Sequence, residues 1–91
     1  MAVKVNIPTM LRTHTGGNAS VEIDGVTLSE VFENLEAECS GIKERLVDEQ
    51  GRVRRFINVY LDGEDIRFLS DLDTEVGDAK EVSIVPAVAG G

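Results

Sequence analysis

Alternating apolar residues near the start of the chain predict two paired strands. The first strand is expected over 3–7 and ends before Pro8. A loop over 9–18 then leads to a returning strand over 19–23, which would complete a hairpin. In both strands the apolar residues are separated by polar ones and share one face: Val3, Val5, Ile7, Val21 and Ile23.

A helix is predicted after the turn at Asp24-Gly25. Thr27 and Glu30 have the spacing of a capping box, in which two side chains bond the first free N–H groups of a helix. Four apolar residues follow at helical spacing and share one face: Leu28, Val31, Phe32 and Leu35. Cys39 continues this face, so we expect it to be a small buried hydrophobic residue and not a nucleophile.

The second half of the chain predicts three more strands. The first covers 56–61, the second is a short edge strand over 64–69 that holds Ile66, and the last covers 80–85. Pro86 is expected to end the last strand, because proline has no N–H to donate to a sheet.

This order of elements predicts an α+β fold in two layers, because one helix and one sheet must bury their apolar faces against each other. The last strand would lie in the centre of the sheet if it pairs with the first. We therefore expect one domain over 1–86 and a flexible tail over 87–91.

The tail is Ala87-Val88-Ala89-Gly90-Gly91, which has small side chains and no charge except the terminal carboxylate. Glycine gains little from being ordered, so these residues contribute little to folding. Fully extended, the tail would reach about 16 Å beyond Pro86. A thread of this kind suits a narrow tunnel in another protein.

Composition excludes several other classes of function. The net charge of −8 argues against nucleic-acid binding, which needs clustered Lys and Arg. A single cysteine excludes an internal disulfide and fits a reducing cytoplasm, and no apolar run approaches the length of a membrane span. His14 has no catalytic companion in the sequence. Asp71, Asp73 and Glu75 alternate as in a calcium loop, but Val76 replaces the required glycine, so we reject that site.

Together with the order of elements, several segments resemble the ubiquitin-like sulfur carriers of the ThiS/MoaD family. They are the terminal Gly-Gly, FINVYLDGEDIR at 56–67 and EVSIVP at 81–86. Two further segments are most similar to the CysO branch: IPTMLRTHTGG at 7–17 and Arg54-Arg55-Phe56. The resemblance covers the whole chain and implies a β-grasp fold, a mixed sheet of four to five strands crossed by one principal helix. Ala79 departs from the family pattern, which usually has glycine in a turn there.

The resemblance also implies chemistry at Gly91. The terminal carboxylate is ionised at neutral pH and is a poor electrophile. A ubiquitin-activating-like enzyme, acting as adenylating enzyme and sulfurtransferase, would adenylate it with ATP, and a sulfur donor would replace AMP to leave a thiocarboxylate. In the CysO branch a PLP-dependent cysteine synthase would use that sulfur, and a zinc metalloprotease would release the cysteine formed. The chain would bind no cofactor and would be a carrier acted on by enzymes.

Two groups of residues are predicted to contact these partners. The first is the tail ahead of the reactive group: Ala87, Val88, Ala89 and Gly90. The second is a set of aromatic residues on the outer side of the sheet: Phe56, Tyr60 and Phe68. Packing of these rings against the segment in the 40s is the alternative.

Two other functions share the fold and the activation of Gly91. One is the small subunit of molybdopterin synthase, in molybdenum cofactor biosynthesis, and the other is a ubiquitin-like modifier conjugated to lysines. The sequence separates these from cysteine biosynthesis only through the branch resemblance. A tail without a function is the remaining alternative.

Overall fold

The computed structural model describes residues 2–87, which form a mixed five-stranded sheet with helices on one face. The strands are β1 (Ala2–Asn6), β2 (Ser20–Asp24), β3 (Ile57–Leu61), β4 (Glu64–Asp65) and β5 (Glu81–Pro86). Their order across the sheet is β2-β1-β5-β3-β4. The pair β1–β5 is parallel and the other pairs are antiparallel. The predicted α+β fold is confirmed, and β5 lies in the centre.

The principal helix, α1 (Leu28–Glu38), begins at the predicted cap. The Thr27 hydroxyl accepts a hydrogen bond of 3.2 Å from the Glu30 N–H. The Glu30 carboxylate reaches back and accepts from the Val26 N–H at 3.1 Å, one residue before the usual partner. Both side chains thus satisfy N–H groups at the start of the helix. A one-turn helix, α2 (Lys43–Leu46), follows.

The core lies between α1 and the sheet, on the faces that the sequence pattern predicted. Four helix side chains are buried to 1% exposure or less: Leu28, Val31, Phe32 and Leu35. The strands contribute their inward-facing residues to the same cluster: Val3, Val5, Ile23, Ile57, Val59, Leu61, Val82 and Ile84. Cys39 is also buried in this cluster, as expected.

The connection between β1 and β2 is more ordered than the predicted loop. Residues Thr9–Thr15 form a 3₁₀ helix that buries Leu11 and Thr15. The Thr15 hydroxyl donates to the Asn18 carbonyl at 2.7 Å, and the Arg12 carbonyl at 3.2 Å is a second acceptor for the same O–H. Gly16 then closes the helix with a φ of 64°, a conformation that favours glycine.

The predicted edge strand over 64–69 is wrong beyond its first two residues. β4 ends at Asp65, and Ile66–Phe68 form a 3₁₀ helix instead. The Asp65 carboxylate accepts from the Arg67 N–H at 2.9 Å and so caps this helix, which stops the strand ladder. Ile66 lies in this 3₁₀ helix and not in a strand, and its side chain is buried.

The turn before β5 accommodates Ala79 in place of the glycine usual in the family. Gly77 adopts the positive φ of 56°, and the Ala79 N–H donates to the Val76 carbonyl at 3.0 Å. Ala79 packs, partly buried, against the core.

This arrangement is the ubiquitin-like β-grasp fold. None of the helices in residues 2–87 is long and apolar enough to cross a membrane.

Candidate functional site at the end of the central strand

The carboxy-terminal strand β5 is paired along both sides, which anchors the end of the domain. Its register with β1 runs from Lys4↔Glu81 to Asn6↔Ser83. Its register with β3 runs from Ile57↔Pro86 to Leu61↔Val82. Val82 and Ile84 are buried in the core cluster to which the apolar face of α1 also belongs. The tail is therefore attached to a strand that is hydrogen-bonded to a neighbour on each side.

Pro86 is the last residue of β5 and so ends the strand as predicted, although the strand includes it and runs one residue beyond the expected 80–85. It pairs with Ile57, and the Ala87 N–H donates to the Phe56 carbonyl at 2.8 Å. Because neighbouring residues of a strand point their backbone groups to opposite sides, the Pro86 nitrogen faces the β1 side. There the ladder has already ended at Ser83, so the missing N–H removes no bond. Ala87, assigned to the tail, is thus bonded to the sheet.

The predicted reactive residue and most of the tail lie outside the described residues. These are Val88, Ala89, Gly90 and Gly91. The predictions that the tail is flexible, that Gly91 is the loading site and that these residues enter a partner stay predictions. The structure does establish where the tail begins, at the half-buried Ala87 beside Phe56.

The three aromatic residues predicted to dock a partner occupy different positions. Phe56 is 51% exposed and lies beside the root of the tail, while Tyr60 is half-buried. Both alternate with the buried Ile57 and Val59, so they belong to the face of the sheet opposite α1. Phe68 is 81% exposed, on the 3₁₀ helix beyond β4. Their role in docking stays a prediction.

The structure adds two exposed apolar residues near the tail that the sequence analysis missed. Met10 is 50% exposed and Val85 is 39% exposed. A groove of about 510 Å³ lies between them, and Pro8, Arg12 and Pro86 also line it. Val85 follows the inward-facing Ile84, so an apolar residue at an outward position next to the tail was the available signal. Met10 gave no such signal, because its 3₁₀ helix was not predicted.

His14 has a partner that the sequence did not show. It is half-buried in the first 3₁₀ helix, and its Nδ1 donates a hydrogen bond of 3.2 Å to the Ser40 carbonyl. The ring lies so close to Gly41 that a Cβ there would be 3.3 Å from Cε1. His14 therefore joins the β1–β2 connection to the end of α1.

Three titratable groups with shifted pKa values have structural surroundings: two carboxylates that accept hydrogen bonds and one buried thiol. The N–H groups of Gly41 and Lys43 each donate to the Glu36 carboxylate at 2.8 Å and lower its pKa. The Arg67 side chain, at 2.6 Å, lowers the pKa of Asp65. Burial raises the pKa of the Cys39 thiol, and Glu38 and Glu36 raise it further. In residues 2–87, no cluster of three or more His, Cys, Asp or Glu has a geometry suited to a metal ion.

Comparison with known proteins gives a consistent assignment. The model of the ThiS family matches residues 5–91. The sulfur carrier protein CysO of Mycobacterium tuberculosis H37Rv is 52% identical, in an alignment of 93 positions that covers all of both chains. Small archaeal modifier protein 3 of Haloferax volcanii is 38% identical over 68 residues, 75% of this chain and 73% of that protein.

A solved structure shows the same fold at similar identity. The matching chain in the crystal structure of the Amycolatopsis orientalis BexX/CysO complex superposes with a TM-score of 0.91 at 53% identity, over 99% of this chain and all of that one. The family model and the full-length relative both cover the β-grasp domain together with the Gly-Gly end. This chain belongs to the ThiS family.

Proposed function

We propose that this protein is a sulfur carrier for the biosynthesis of cysteine or a related thiol metabolite. The observation that supports this most strongly is the full-length similarity to the CysO carrier, which includes the Gly-Gly end. The fold is consistent with it. The tail follows the central strand β5 and begins at Ala87, whose N–H is hydrogen-bonded to the sheet. A partner can therefore bind the folded domain while it acts on the end of the chain.

The chemistry takes place at the Gly91 carboxylate, with the catalytic groups supplied by partners. A carboxylate oxygen attacks the α-phosphorus of ATP and pyrophosphate leaves, which gives an acyl adenylate. Sulfide, or a donor that delivers sulfur at the oxidation level of sulfide, then attacks the acyl carbon; the bond to AMP breaks, AMP leaves, and a thiocarboxylate remains on Gly91. Glycine suits both steps because no Cβ hinders approach to the carbonyl. Neither step uses the chain's own cysteine, because the sulfur arrives from the donor and is bonded to the carbonyl carbon of Gly91.

The domain acts as the handle by which partners recognise the tail. In this proposal Ala87, Val88, Ala89 and Gly90 enter the partner, and Phe56, Tyr60 and Phe68 contact its surface. The partners are an adenylating enzyme that uses ATP, a PLP-dependent cysteine synthase and a zinc metalloprotease. The exposure of Phe56 and Phe68 supports the docking role, because large exposed apolar groups often mark interfaces.

The proposal is tested by loading the chain with sulfur and weighing it intact. The protein is incubated with ATP, the adenylating enzyme and a sulfur donor. We expect a mass increase equal to the replacement of one oxygen by sulfur, on the full-length chain and only with ATP. Deletion of Gly91 should abolish loading, because Gly90 would present its carboxylate about 3.3 Å short of the reactive centre. A displacement of about 1 Å can already cost roughly 100-fold in rate.

Two outcomes would contradict the carrier function. In the first, the chain without Gly91 is loaded as well as the full chain. In the second, the sulfur is found on Cys39. The control Cys39→Ala removes that thiol, and it should load at the rate of the unmodified chain.

The loaded chain then distinguishes the pathways. It is mixed in parallel with a PLP-dependent cysteine synthase and its activated serine substrate, and with the large subunit of molybdopterin synthase and its pterin precursor. In the first mixture we expect the thiocarboxylate to disappear and the mass to rise to that of the unloaded chain plus one cysteine unit, because its sulfur becomes that of a cysteine amide-linked to Gly91. Sulfur loss in the second mixture alone would assign the chain to molybdenum cofactor biosynthesis.

A protein modifier is the second candidate, because one relative is named as a small archaeal modifier. In that case the Gly91 carboxylate would form amide bonds with lysine side chains. Tagged chain recovered from cell extract and digested with trypsin, which cleaves after Lys80, would then leave the segment 81–91 as a remnant on the modified lysines. Under the carrier proposal these remnants are absent from the proteins recovered.

A further inference from the structure

Three arginines form a basic cluster on a strongly acidic protein. The net charge of the chain is −8, with 9 Lys and Arg against 17 Asp and Glu. Arg52, Arg54 and Arg55 fall within four consecutive positions, and Arg52 and Arg55 are exposed. No ion pair within residues 2–87 involves any of the three. The Asp48 carboxylate accepts from the Arg52 N–H at 3.0 Å, and the charges of Arg52 and Arg54 contribute to lowering its pKa, so this carboxylate offsets part of the positive charge. With no side-chain ion pair in that range, the rest of the charge is available to another molecule.

Sheet register places this cluster beside the root of the tail. Arg55 precedes Phe56, whose carbonyl accepts the Ala87 N–H at 2.8 Å. The Arg54 carbonyl accepts from the Ile57 N–H at 3.2 Å, and Ile57 is the residue opposite Pro86. The backbone of the cluster is thus held next to the last bonded residues of the strand.

The cluster is also held from the other side. The Arg54 N–H donates to the Leu46 carbonyl at 2.9 Å, and its Nε donates to the Glu44 carbonyl at 2.6 Å. The Nε bond uses one of the five donors of the guanidinium group. The position of the Arg54 side chain is therefore set by α2, and its remaining donors are left for a ligand.

The same arginines line one end of a groove of about 560 Å³, over Ile57 and Val59. Asp71 and Asp73 line the groove from the 3₁₀ helix Asp71–Asp73. That helix leads to Thr74, whose carbonyl accepts the Leu28 N–H at the start of α1. The acidic end of the groove therefore lies towards the start of α1, and the basic end lies towards the tail. Asp65, also in the lining, is already paired with Arg67.

We propose that Arg52, Arg54 and Arg55 bind an acidic segment of the protein that receives the tail. This rests on the proposed function, in which the tail enters a partner. The rest of the surface is mostly acidic and would repel carboxylates, so an acidic segment is attracted mainly at this cluster. Attraction at one side of the tail would orient the carrier as it approaches, since complementary charges at an interface act chiefly on the rate and register of association.

The test compares two variants with the same change of charge. Arg52→Gln with Arg55→Gln neutralises the exposed arginines and leaves the Arg54 hydrogen bonds in place. The control, Lys4→Gln with Lys80→Gln, neutralises two exposed lysines where β5 begins, at the opposite end of the strand from the tail. Lys4 and Lys80 are joined through their backbones at 3.1 Å, and this bond does not depend on their side chains. Circular dichroism confirms that both variants are folded.

The first measurement uses a hexaglutamate peptide as the probe, so it does not depend on sulfur loading. The peptide is titrated into ¹⁵N-labelled chain at low ionic strength, and the amide shifts are followed by NMR. We expect shifts centred on 52–55 that are reversed by salt, lost in the arginine variant and kept in the lysine variant. Shifts centred on Lys4 and Lys80, or shifts that persist in the arginine variant, would overturn the proposal.

The second measurement is the rate of sulfur loading against carrier concentration. The arginine variant should raise KM roughly 2- to 30-fold, the range expected for two exposed charge pairs, with little change in kcat. Its KM should also depend less on salt than that of the lysine variant. Equal KM values for the two variants would overturn the proposal. If the unmodified chain is never loaded, the proposed function fails, while the hexaglutamate titration still decides whether the cluster binds acidic segments.

Discussion

The Ala87 N–H donates a hydrogen bond of 2.8 Å to the carbonyl of Phe56. This bond extends the antiparallel pairing of β3 and β5 by one residue beyond Ile57↔Pro86. It joins the root of the tail to the backbone of Phe56, whose ring is exposed and whose neighbour in the chain is Arg55. Any partner that takes up the tail therefore meets an apolar and a basic group at its base.

Removing this bond should loosen the root of the tail without unfolding the domain. Ala87→Pro deletes the N–H, while the strand conformation of Pro86 is compatible with a following proline. We expect a loss of about 0.5–1.5 kcal/mol in the free energy of unfolding, measured with urea. Ala87→Ser keeps the N–H and should be close to the unmodified chain. Equal stability of the two variants would show that the bond contributes nothing.

The two phenylalanines Phe32 and Phe68 should differ sharply in their contribution to stability. Phe32 is 1% exposed in the core and Phe68 is 81% exposed. Phe32→Ala should cost about 3–5 kcal/mol through lost burial and a cavity. Phe68→Ala should change stability by less than about 0.5 kcal/mol. Thermal or urea unfolding of both variants measures this, and a stable Phe32→Ala chain would remove Phe32 from the core.

Glu36 should make stability depend on pH in the acid range. Its carboxylate accepts from the N–H groups of Gly41 and Lys43, which lower its pKa from the ordinary value of 4.5. A group whose pKa is lowered by folding stabilises the protein above its unfolded pKa and loses that effect as the pH falls through its folded pKa. Glu36→Gln should therefore be less stable than the unmodified chain at pH 6, and the difference should shrink below about pH 4.

Urea unfolding at several pH values measures this difference. Glu38→Gln, an exposed carboxylate of the same helix, is the matched control. A gap between Glu36→Gln and the unmodified chain that stays constant from pH 6 to pH 3 would contradict a role for the ionised carboxylate.

Cys39 should be unreactive in the folded protein. It is 6% exposed, and burial, followed by Glu38 and Glu36, raises its pKa. Only the thiolate reacts quickly with disulfide reagents, so both effects slow the reaction. We expect slow labelling by a chromogenic disulfide at pH 8 and rapid, complete labelling in denaturant. Equal rates in the two conditions would place Cys39 outside the core.

Local patterns determined which face of each element is buried. The spacing of Leu28, Val31, Phe32 and Leu35 identified the buried face of α1, and all four are core residues. The alternation around Val59 did the same for β3. These predictions were confirmed because burial of an apolar face is the main driving force of folding. The spacing of apolar residues along the sequence shows which face that is.

Two secondary-structure predictions failed because local side-chain hydrogen bonds form 3₁₀ helices in place of the expected strand and loop. Asp65 stops β4 because its carboxylate caps a 3₁₀ helix, a choice that the strand-like residues 64–69 did not reveal. Thr15 holds the first 3₁₀ helix closed in the same local way. A single side chain that bonds the nearby backbone can compete with strand pairing. Such a bond has no periodic pattern in the sequence by which it could be predicted.

Only the tertiary structure decided what surrounds the root of the tail at Ala87. The sequence by itself supplied the Gly-Gly end and the order of elements, and it offered central placement of β5 as a condition on its pairing with β1. The structure meets that condition, because the parallel β1–β5 pair places β5 between β1 and β3. It also brings Arg52, Arg54 and Arg55 to one groove with Asp71 and Asp73. The periodicity of apolar residues predicts which side of each element is exposed. Which elements become neighbours across the sheet depends instead on how they pack to bury their apolar faces together.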